Sequence, residues 1–277
     1  MNRIKTLIET CKDKGLSQYL ETAVTAALEA GKILRSLYER PHQITHKGTI
    51  DLVTEADIAS EKKVLEICQA ALPVAKILAE ESTASYGSFP YDLVWIIDPL
   101  DGTTNFAHGF PWFCTSIALA NRAELLIGVI YSPILDELFY GIRGEGAWLN
   151  DRPINVSRVK ELSQALLATG FPYDVQENPD QVVAALKEML VKAQGVRRAG
   201  AAALDLAYVA CGRLDGFWEV KLKPWDTAAG QLILEEASGM ISDFKGQKYD
   251  PFVPEILASN GLIHKEMAKI LKSFGIR

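Results

Sequence analysis

The sequence predicts a mixed α/β protein in which helices pack on sheets. Three observations predict it: apolar residues at helical spacing near the start, a series of short apolar segments between turns, and alternating strand and helix patterns in the second half. The 277 residues are 48% hydrophobic and 23% charged, which is typical of a globular chain that buries a core without disulfides. We therefore expect a single domain over residues 1–277, with an α+β half (about 1–155) and an α/β half (about 156–277).

Two amphipathic helices are predicted to open the first half. Apolar residues recur at steps of three and four between Leu20 and Leu37, and Pro41 ends this helix. A second helix is predicted from about residue 54 to 72. Its expected inner face comprises Ile58, Val64, Leu65 and Cys68.

Short strands are predicted to follow these helices. We expect them at 76–79, 93–97, 115–120, 125–131 and 137–142. The last three are joined by short turns containing Gly, Asn or Pro, which favours an antiparallel meander. The polar segment 150–163 is the predicted seam between the halves, and it is too short to separate two independent domains.

The second half is predicted to alternate between strands and helices. Strands are expected at 165–169, 214–220 and near Met240 and Ile256, and helices at about 179–194, 201–211 and 227–237. This alternation is typical of a three-layer α/β arrangement. The expected inner face of the first of these helices comprises Val183, Leu186, Met189 and Leu190.

The charge and the cysteine spacing of the chain indicate where the protein is located and which classes of partner it does not bind. The net charge is −6 and basic residues form nothing longer than pairs such as Arg197-Arg198, which argues against a basic nucleic-acid-binding face. No apolar run approaches the ~18 residues of a membrane span, and the N-terminus lacks a signal-peptide pattern. We expect a soluble cytoplasmic protein with reduced thiols, since no CxxC pattern joins Cys11, Cys68, Cys114 and Cys211.

The most informative stretch is residues 95–105, where an apolar strand ends in two carboxylates three residues apart. Asp98 and Asp101 flank Pro99, and Gly102 and Thr103 follow at an expected helix N-terminus, whose free N–H groups favour a phosphate. Two unit charges ~4 Å apart repel by about 4 kcal/mol at an effective dielectric of ~20, so such a pair calls for protonation or a cation. Oxygen ligands favour Mg²⁺, Mn²⁺ or Ca²⁺. The pattern indicates metal-assisted phosphoryl transfer.

Each of these residues also has an ordinary structural interpretation. Asp-Pro and Asp-Gly are common turn pairs, and Thr103 fits a simple N-cap. Glu80 follows a predicted strand, where a glutamate is commonly a solvent-exposed residue at the edge of a sheet. Asp57 ends a Thr-Glu-Ala-Asp capping box, and Asp226 fits the N-cap of the helix that follows. Asp205 lies among apolar neighbours and is expected to be a satisfied buried acid.

Four ordered blocks resemble a known family. They are Asp51-Leu-Val-Thr-Glu-Ala-Asp57, Ala79-Glu80-Glu81-Ser82, Asp98-Pro-Leu-Asp101-Gly102-Thr103-Thr104 and Lys223-Pro-Trp225-Asp226-Thr-Ala-Ala-Gly230. The chain is similar, from about residue 27 to about 260, to the inositol monophosphatase family of magnesium-dependent, lithium-sensitive phosphatases. This resemblance implies an alternating αβαβα layered sandwich of the sugar-phosphatase type, with the site between the two halves.

The resemblance also implies roles for individual residues. The implied metal ligands are Glu80, Asp98, the Leu100 carbonyl, Asp101 and Asp226. Glu80 and Thr103 are implied to orient the attacking water, and Asp57 to approach a more weakly held metal. The implied substrate contacts are Asp101, Gly102, Thr103, Ala202, Glu219 and Asp226, of which Glu219 accepts a hydrogen bond from a ring hydroxyl. Lys47 resembles the lysine of the family's mobile loop.

The expected activity is Mg²⁺-dependent hydrolysis of a small polyol or sugar phosphate, above all myo-inositol 1-phosphate. The resemblance implies two or three Mg²⁺ per subunit and a homodimer. A fructose-1,6-bisphosphatase or broad sugar phosphatase on the same scaffold is the alternative enzyme. The substrate preference is left open by Lys223, which stands where many relatives carry another residue. A non-catalytic regulatory protein is the alternative of a different class, although every acid of the set is present. The absence of GxSxG and Walker patterns argues against an esterase or a P-loop kinase.

Overall fold

The protein forms five alternating layers, αβαβα, in a computed structural model that describes residues 14–40, 44–46, 52–83, 92–122 and 124–274. The first layer consists of α1 (Lys14–Leu37) and α2 (Glu55–Ala71). An antiparallel pair of short strands, β1 (Ile44–His46) and β2 (Leu52–Thr54), lies between them in the sequence. These helices cover one face of a seven-stranded sheet.

The seven-stranded sheet has its strands in sequence order. They are β3 (Lys76–Ala79), β4 (Val94–Asp101), β5 (Cys114–Ala120), β6 (Leu125–Ser132), β7 (Glu137–Ile142), β8 (Gly146–Leu149) and β9 (Arg152–Pro153). β3 pairs in parallel with β4, and every later pair is antiparallel, so the predicted meander is confirmed. A short helix, α3 (Thr103–Ala107), follows β4 directly.

β4 is apolar on both faces because both faces are covered. Trp95 and Ile97 belong to the core under α1 and α2, whereas Val94 and Ile96 belong to the core on the opposite side. Successive side chains of a strand point to opposite faces, so a strand in the middle of the molecule needs a continuous apolar run. The strand that carries the candidate site is therefore held from both sides.

The second half contains a five-stranded sheet in the order β11-β10-β12-β14-β13. Its strands are β10 (Leu166–Thr169), β11 (Gly195–Arg197), β12 (Gly216–Val220), β13 (Met240–Ser242) and β14 (Glu255–Ser259). β10 pairs in parallel with β11 and β12, and the remaining pairs are antiparallel. Helices α5 (Ala202–Ala210) and α6 (Pro224–Glu236) form the central layer between the sheets, while α4 (Pro179–Leu190) and α7 (His264–Leu271) pack outside the second sheet.

Some predicted inner faces are wrong. Val183 and Leu190 are 53% and 52% exposed, because α4 buries Ala185, which was not predicted, together with Met189, which was. A residue two positions from Ala185 lies about 200° around a helix, on its far side. Ile58 is 61% exposed, since α2 turns small and polar residues inward, where they support β4.

The structure also contains elements that were not predicted, namely β1, β2, β8, β9, β11 and α7, and α4 ends at residue 190 rather than 194. These strands are only two to four residues long, which is too short for a clear apolar period. Among the described residues, no helix is both long enough and apolar enough to cross a membrane. Cys68 and Cys114 are buried free thiols and Cys211 is partly buried, whereas Cys11 lies outside the described residues.

Candidate active site

The two central acids lie on β4, which continues through both of them rather than ending at residue 97 as predicted. The pairing of β4 with β5 is irregular between Asp98 and Asp101, at a proline that has no N–H for a regular ladder. The carbonyl oxygen of Pro99 accepts hydrogen bonds from the Ser60 and Thr115 hydroxyls, at 3.0 and 3.1 Å. This irregularity interrupts the regular pairing of β4 between the two acids.

The electrostatics of these acids show that they form one cluster. Burial raises the pKa of Asp98 well above its usual range, and the charges of Glu80, Asp101 and Asp226 raise it further. Burial and the charge of Asp226 raise the pKa of Asp101 to about 7, against the opposing effect of two backbone N–H groups. These carboxyls repel one another, so they cannot all be ionised unless positive charge is added.

A divalent cation fits this cluster by its chemistry. The donors are all oxygens, which is the set that Mg²⁺ prefers, and bound positive charge would stabilise the ionised forms that burial disfavours. Within the part of the chain that the structure describes, however, no three His, Cys, Asp or Glu side chains converge on a ready-made metal site. Asp98, Asp101 and Asp226 instead accept hydrogen bonds from backbone N–H groups. Cation binding would therefore share or replace these hydrogen bonds.

Asp57 combines the two interpretations that its sequence left open. Its Oδ2 accepts hydrogen bonds from the backbone N–H and the hydroxyl of Thr54, at 2.7 and 2.6 Å, as in a capping box. Its Oδ1 lies 2.9 Å from the Thr103 hydroxyl, which is also 3.0 Å from the Leu100 carbonyl oxygen. The Thr103 proton is thus directed toward the protein, which leaves the lone pairs of its oxygen available to a polar group in the cavity.

The turn after β4 depends on a glycine. Gly102 caps α3 with φ of +93°, and a Cβ there would lie 2.9 Å from the Trp112 carbonyl oxygen. The Asn105 amide then donates to the carbonyl oxygens of Trp112 and Ala199, at 2.7 and 2.9 Å. Asn105 therefore links this turn to the second half, a contact that the sequence did not predict.

The second half holds two of the acids in place. The backbone N–H of Ala203, in the first turn of α5, donates to Asp101 Oδ2 at 2.8 Å, and Ala202 is the first residue of that helix. Asp226 is not the N-cap of α6, because this helix begins at its proline and Lys223 is the N-cap. The Lys223 N–H donates to Asp226 Oδ2 at 2.7 Å, so Asp226 lies in the first turn of α6.

Glu219 is a buried acid that depends on a neighbouring glycine. It is 8% exposed, and a Cβ on Gly170 would lie 2.1 Å from its Oε2. Burial, and then the charges of Asp205 and Asp226, raise the pKa of Glu219 well above its usual range, while Arg198 lowers it.

Asp205 is buried, as expected, but the expectation that all its hydrogen bonds are satisfied is wrong. It is 1% exposed, and its Oδ1 has no hydrogen-bond partner in the described part of the chain. Burial, followed by the charge of Asp101, raises its pKa well above the usual range. A carboxyl in these surroundings favours its protonated form.

A cavity of about 230 Å³ joins these groups at the boundary between the halves. All six residues predicted to contact substrate line it: Asp101, Gly102, Thr103, Ala202, Glu219 and Asp226. Asp57, Asp98 and Leu100 are buried, and Glu80 is half-buried just after β3. Arg198, Lys221 and the rings of Phe171 and Tyr173 also line the cavity and were not predicted, because nothing local in the sequence marks them. Lys47 and Asp51 lie outside the described residues.

Comparisons with known proteins agree with this arrangement. The model of the inositol monophosphatase family matches residues 15–275. An inositol-1-monophosphatase of Synechocystis is 46% identical over 257 residues, which cover 92% of this chain and 89% of that protein. A Pasteurella multocida protein named Nus factor SuhB is 43% identical and covers 83% of this chain and 87% of its own length. The solved structure of an Anabaena inositol monophosphatase has a TM-score of 0.84 at 45% identity, with 94% and 97% of the two chains covered.

The layered fold and these matches define a phosphatase. The chain belongs to the inositol monophosphatase family, whose members depend on a metal ion, generally Mg²⁺. The fold class and the resemblance drawn from the four sequence blocks are confirmed.

Proposed function

We propose that the protein hydrolyses a small polyol or sugar phosphomonoester, with myo-inositol 1-phosphate as the leading substrate. The observation that carries the proposal is the convergence of all six predicted substrate contacts on one cavity in a chain of this family. Asp101 of β4 and Thr103, whose hydroxyl contacts the buried Asp57, line this cavity.

The acid cluster would hold the metal ions. Glu80, Asp98 and the Leu100 carbonyl are the proposed ligands of one Mg²⁺, and Asp98, Asp101 and Asp226 are those of a second. A third, more weakly held ion would lie toward Asp57. Bound Mg²⁺ acidifies a water molecule and stabilises charge on the phosphoryl and leaving oxygens.

The chain's own groups would position the reaction. The hydroxyl of Thr103, whose proton is engaged by Asp57 or by the Leu100 carbonyl, accepts a hydrogen bond from the attacking water and holds it in line with phosphorus. Glu80 would orient the same water. Asp57 is itself fixed by its two hydrogen bonds from Thr54, so the Thr103 hydroxyl keeps one orientation.

In the first half, Gly102 and the turn after it would contact the phosphate, together with Asp101. Substrate selection would come from the second half. Ala202 contacts the substrate through its backbone, and Glu219 accepts a hydrogen bond from a ring hydroxyl. Asp226 lies near the leaving oxygen.

A phosphate-release panel tests this proposal. Purified protein is assayed with myo-inositol 1-phosphate, fructose 1,6-bisphosphate and 3′-phosphoadenosine 5′-phosphate, with Mg²⁺ and after exhaustive chelation. We expect the highest kcat/KM with inositol 1-phosphate and no turnover after chelation. Ca²⁺ should inhibit, because its longer and looser coordination misaligns water and phosphate. Full activity without a divalent cation would contradict the metal-assisted mechanism.

The relative named Nus factor SuhB supports a second candidate, a regulatory protein on the same fold. The absence of turnover on every ester in the panel, by a folded protein that still binds Mg²⁺, would favour this candidate. If the protein is a fructose-1,6-bisphosphatase or a broad sugar phosphatase, the kcat/KM for inositol 1-phosphate will not be the highest of the panel. Lithium inhibition, a homodimer and a cytoplasmic location stay predictions, each open to a direct measurement.

A further inference from the structure

The acid cluster takes one of its members from the second half. Asp98 and Asp101 lie on β4, whereas Asp226 lies in the first turn of α6. The Lys223 N–H fixes the Asp226 carboxylate relative to its own helix, because the two residues are three positions apart. The position of Asp226 relative to the acids of β4 therefore depends on how the first turn of α6 is attached to the rest of the molecule.

A serine hydroxyl attaches this turn to the sheet of the first half. Ser116 lies on β5, where it is the pairing partner of Asp98. Ser116 is buried, and its Oγ donates a hydrogen bond to the carbonyl oxygen of Trp225, at 3.2 Å. Trp225 immediately precedes Asp226. This hydrogen bond therefore joins the residue opposite Asp98 to the residue beside Asp226.

A tyrosine hydroxyl attaches the same turn at the residue that follows Asp226. Tyr249 lies in the loop between β13 and β14, and its hydroxyl donates a hydrogen bond to Thr227 Oγ1, at 3.1 Å. Both side chains are buried. Burial raises the pKa of Tyr249, against the opposing effect of the Thr227 hydrogen bond, so the hydroxyl keeps its proton at neutral pH and stays a donor. The proposed reaction uses neither this hydroxyl nor that of Ser116.

We infer that Ser116 and Tyr249 are positioning residues for the metal ion that Asp226 binds. Their hydroxyls hold the residues on either side of Asp226, so that its carboxylate keeps one position relative to the acids of β4. We call the two hydrogen bonds, Ser116–Trp225 and Tyr249–Thr227, the hydroxyl clamp. The inference rests on the proposed function, because the role of Asp226 as a metal ligand is proposed there.

The hydroxyl clamp should matter more for Mg²⁺ than for Ca²⁺. Mg²⁺ requires near-ideal octahedral geometry with oxygens at about 2.0–2.1 Å, whereas Ca²⁺ accepts a flexible arrangement of more ligands at longer distances. A small displacement of one carboxylate therefore weakens Mg²⁺ binding and is tolerated by Ca²⁺. A general loss of packing would weaken the binding of both ions alike. The ratio of the two affinities thus separates positioning from a merely structural role.

Isothermal titration calorimetry with Mg²⁺ and with Ca²⁺ tests the inference. Asp226→Asn first identifies the binding step that involves Asp226, because this step should disappear. In Ser116→Ala and in Tyr249→Phe, the Mg²⁺ affinity of that step should fall roughly three- to tenfold, as expected for the loss of one hydrogen bond. The Ca²⁺ affinity should hardly change. In phosphate-release assays, the Mg²⁺ concentration that gives half the maximal rate should rise by the same factor.

Thr227 and two distant hydroxyls provide matched controls. Thr227→Val removes the acceptor and should reproduce Tyr249→Phe, and the double variant should lose no more than either single variant. Thr227→Ser keeps the hydroxyl and should retain the wild-type Mg²⁺ affinity. Ser132→Ala and Tyr140→Phe change buried residues of β6 and β7 that do not line the cavity, and should leave the affinities for both ions unchanged.

Three results would overturn the inference. They are an unchanged Mg²⁺ affinity in both Ser116→Ala and Tyr249→Phe, equal losses of Mg²⁺ and Ca²⁺ affinity, and a Mg²⁺ titration of Asp226→Asn that is identical to that of the wild type. If Ser116→Ala does not fold, the variants of Tyr249 and Thr227 decide by the same criteria.

The same measurements separate this inference from the proposed function. Phosphate release by the wild type, together with unchanged affinities in the clamp variants, would refute the hydroxyl clamp and leave the proposed function standing. The absence of phosphate release from every ester, together with a loss of affinity in the clamp variants that is selective for Mg²⁺, would refute the proposed function and support the hydroxyl clamp.

Discussion

The two halves of the molecule contribute different kinds of groups to one cavity. The first half lines the cavity with Asp101, at the end of β4, and with Thr103 immediately after it, and the same strand carries the buried Asp98. The second half contributes the N-terminal turn of α5, a buried Glu219 and residues on loops. Asp226 is the exception, because it belongs to the second half and to the acid cluster.

This difference matters because the two settings have different rigidity. β4 is covered on both faces and pairs with strands on both sides, so Asp98 has little freedom to move. The cations of the second half lie on partly or fully exposed loops. Chemistry needs fixed geometry, whereas recognition of different leaving groups is carried by loops that can vary on a rigid scaffold. Changes in the first half should therefore affect all substrates alike, and changes in the second half should discriminate among them.

The largest expected effect on turnover is that of Asp98→Asn. We expect kcat to fall at least ~10³-fold for inositol 1-phosphate and equally for an aryl phosphate, because a lost metal ligand forfeits several kcal/mol of charge stabilisation. The variant should fold, since a neutral amide replaces a buried carboxyl. Asp92→Asn, at an 87% exposed acid just before β4, is the control and should retain activity. Near-normal turnover by folded Asp98→Asn would end the metal-ligand assignment.

Thr103→Val should have the next largest effect, a loss of about 10²-fold or more for both substrates, since the hydroxyl that positions the water disappears. Thr103→Ser keeps the hydroxyl beside Asp57 and should recover most of the rate. Steady-state kinetics of the three proteins at saturating Mg²⁺ measure this. If serine fails to restore activity, the methyl group rather than the hydroxyl is what the site requires.

These residues also show how far the sequence alone could lead. The capping box of Asp57 can be predicted from the sequence because Thr54 lies only three positions away. Its contact with Thr103 spans 46 positions and exists only because α2 packs against the sheet that carries β4. The motif acids were predictable because they stand in four ordered blocks that resemble a known family, whereas each of them taken alone also fits a turn, a cap or a solvated strand end. Arg198 and Lys221 were not, because single basic residues in loops become a cavity wall only through the tertiary fold.

Glu219→Gln should discriminate between substrates, as expected of the second half. A buried acid that accepts a hydrogen bond from a ring hydroxyl contributes roughly ten- to a hundredfold to kcat/KM for inositol 1-phosphate. An aryl phosphate, which has no ring hydroxyl, should hardly be affected. Gly170→Ala should give the same pattern, because its Cβ would lie 2.1 Å from Glu219 Oε2 and displace the carboxylate. Equal losses on both substrates would instead place Glu219 in the metal or folding network.

The smallest effect on turnover is expected at His264, which lies in the core of the second half. Its ring nitrogens lie 2.8 Å from the Ser242 hydroxyl and 2.9 Å from the Ser259 hydroxyl, so the buried ring joins β13, β14 and α7. Burial lowers the pKa of His264 to about 4, below its ordinary value of about 6.5. The unfolded chain then binds more protons than the folded one between these two values.

Stability should consequently be full above pH ~6.5 and fall as the pH decreases toward 4, with a loss of about 2 kcal/mol by pH 5 from this residue alone. Urea unfolding of the wild type and of His264→Gln at pH 7.5 and pH 5 measures it. The variant should lose less stability than the wild type between these pH values, and its kcat at pH 7.5 should be unchanged. The buried carboxyls of the site, whose raised pKa values act in the opposite sense, are common to both proteins and cancel in the difference. An identical pH dependence in the two proteins would mean that the pKa of His264 is the same in the folded and the unfolded chain. A fall in kcat at pH 7.5 would mean that the outer layers of the second half reach the catalytic acids, and that the two halves do not act separately.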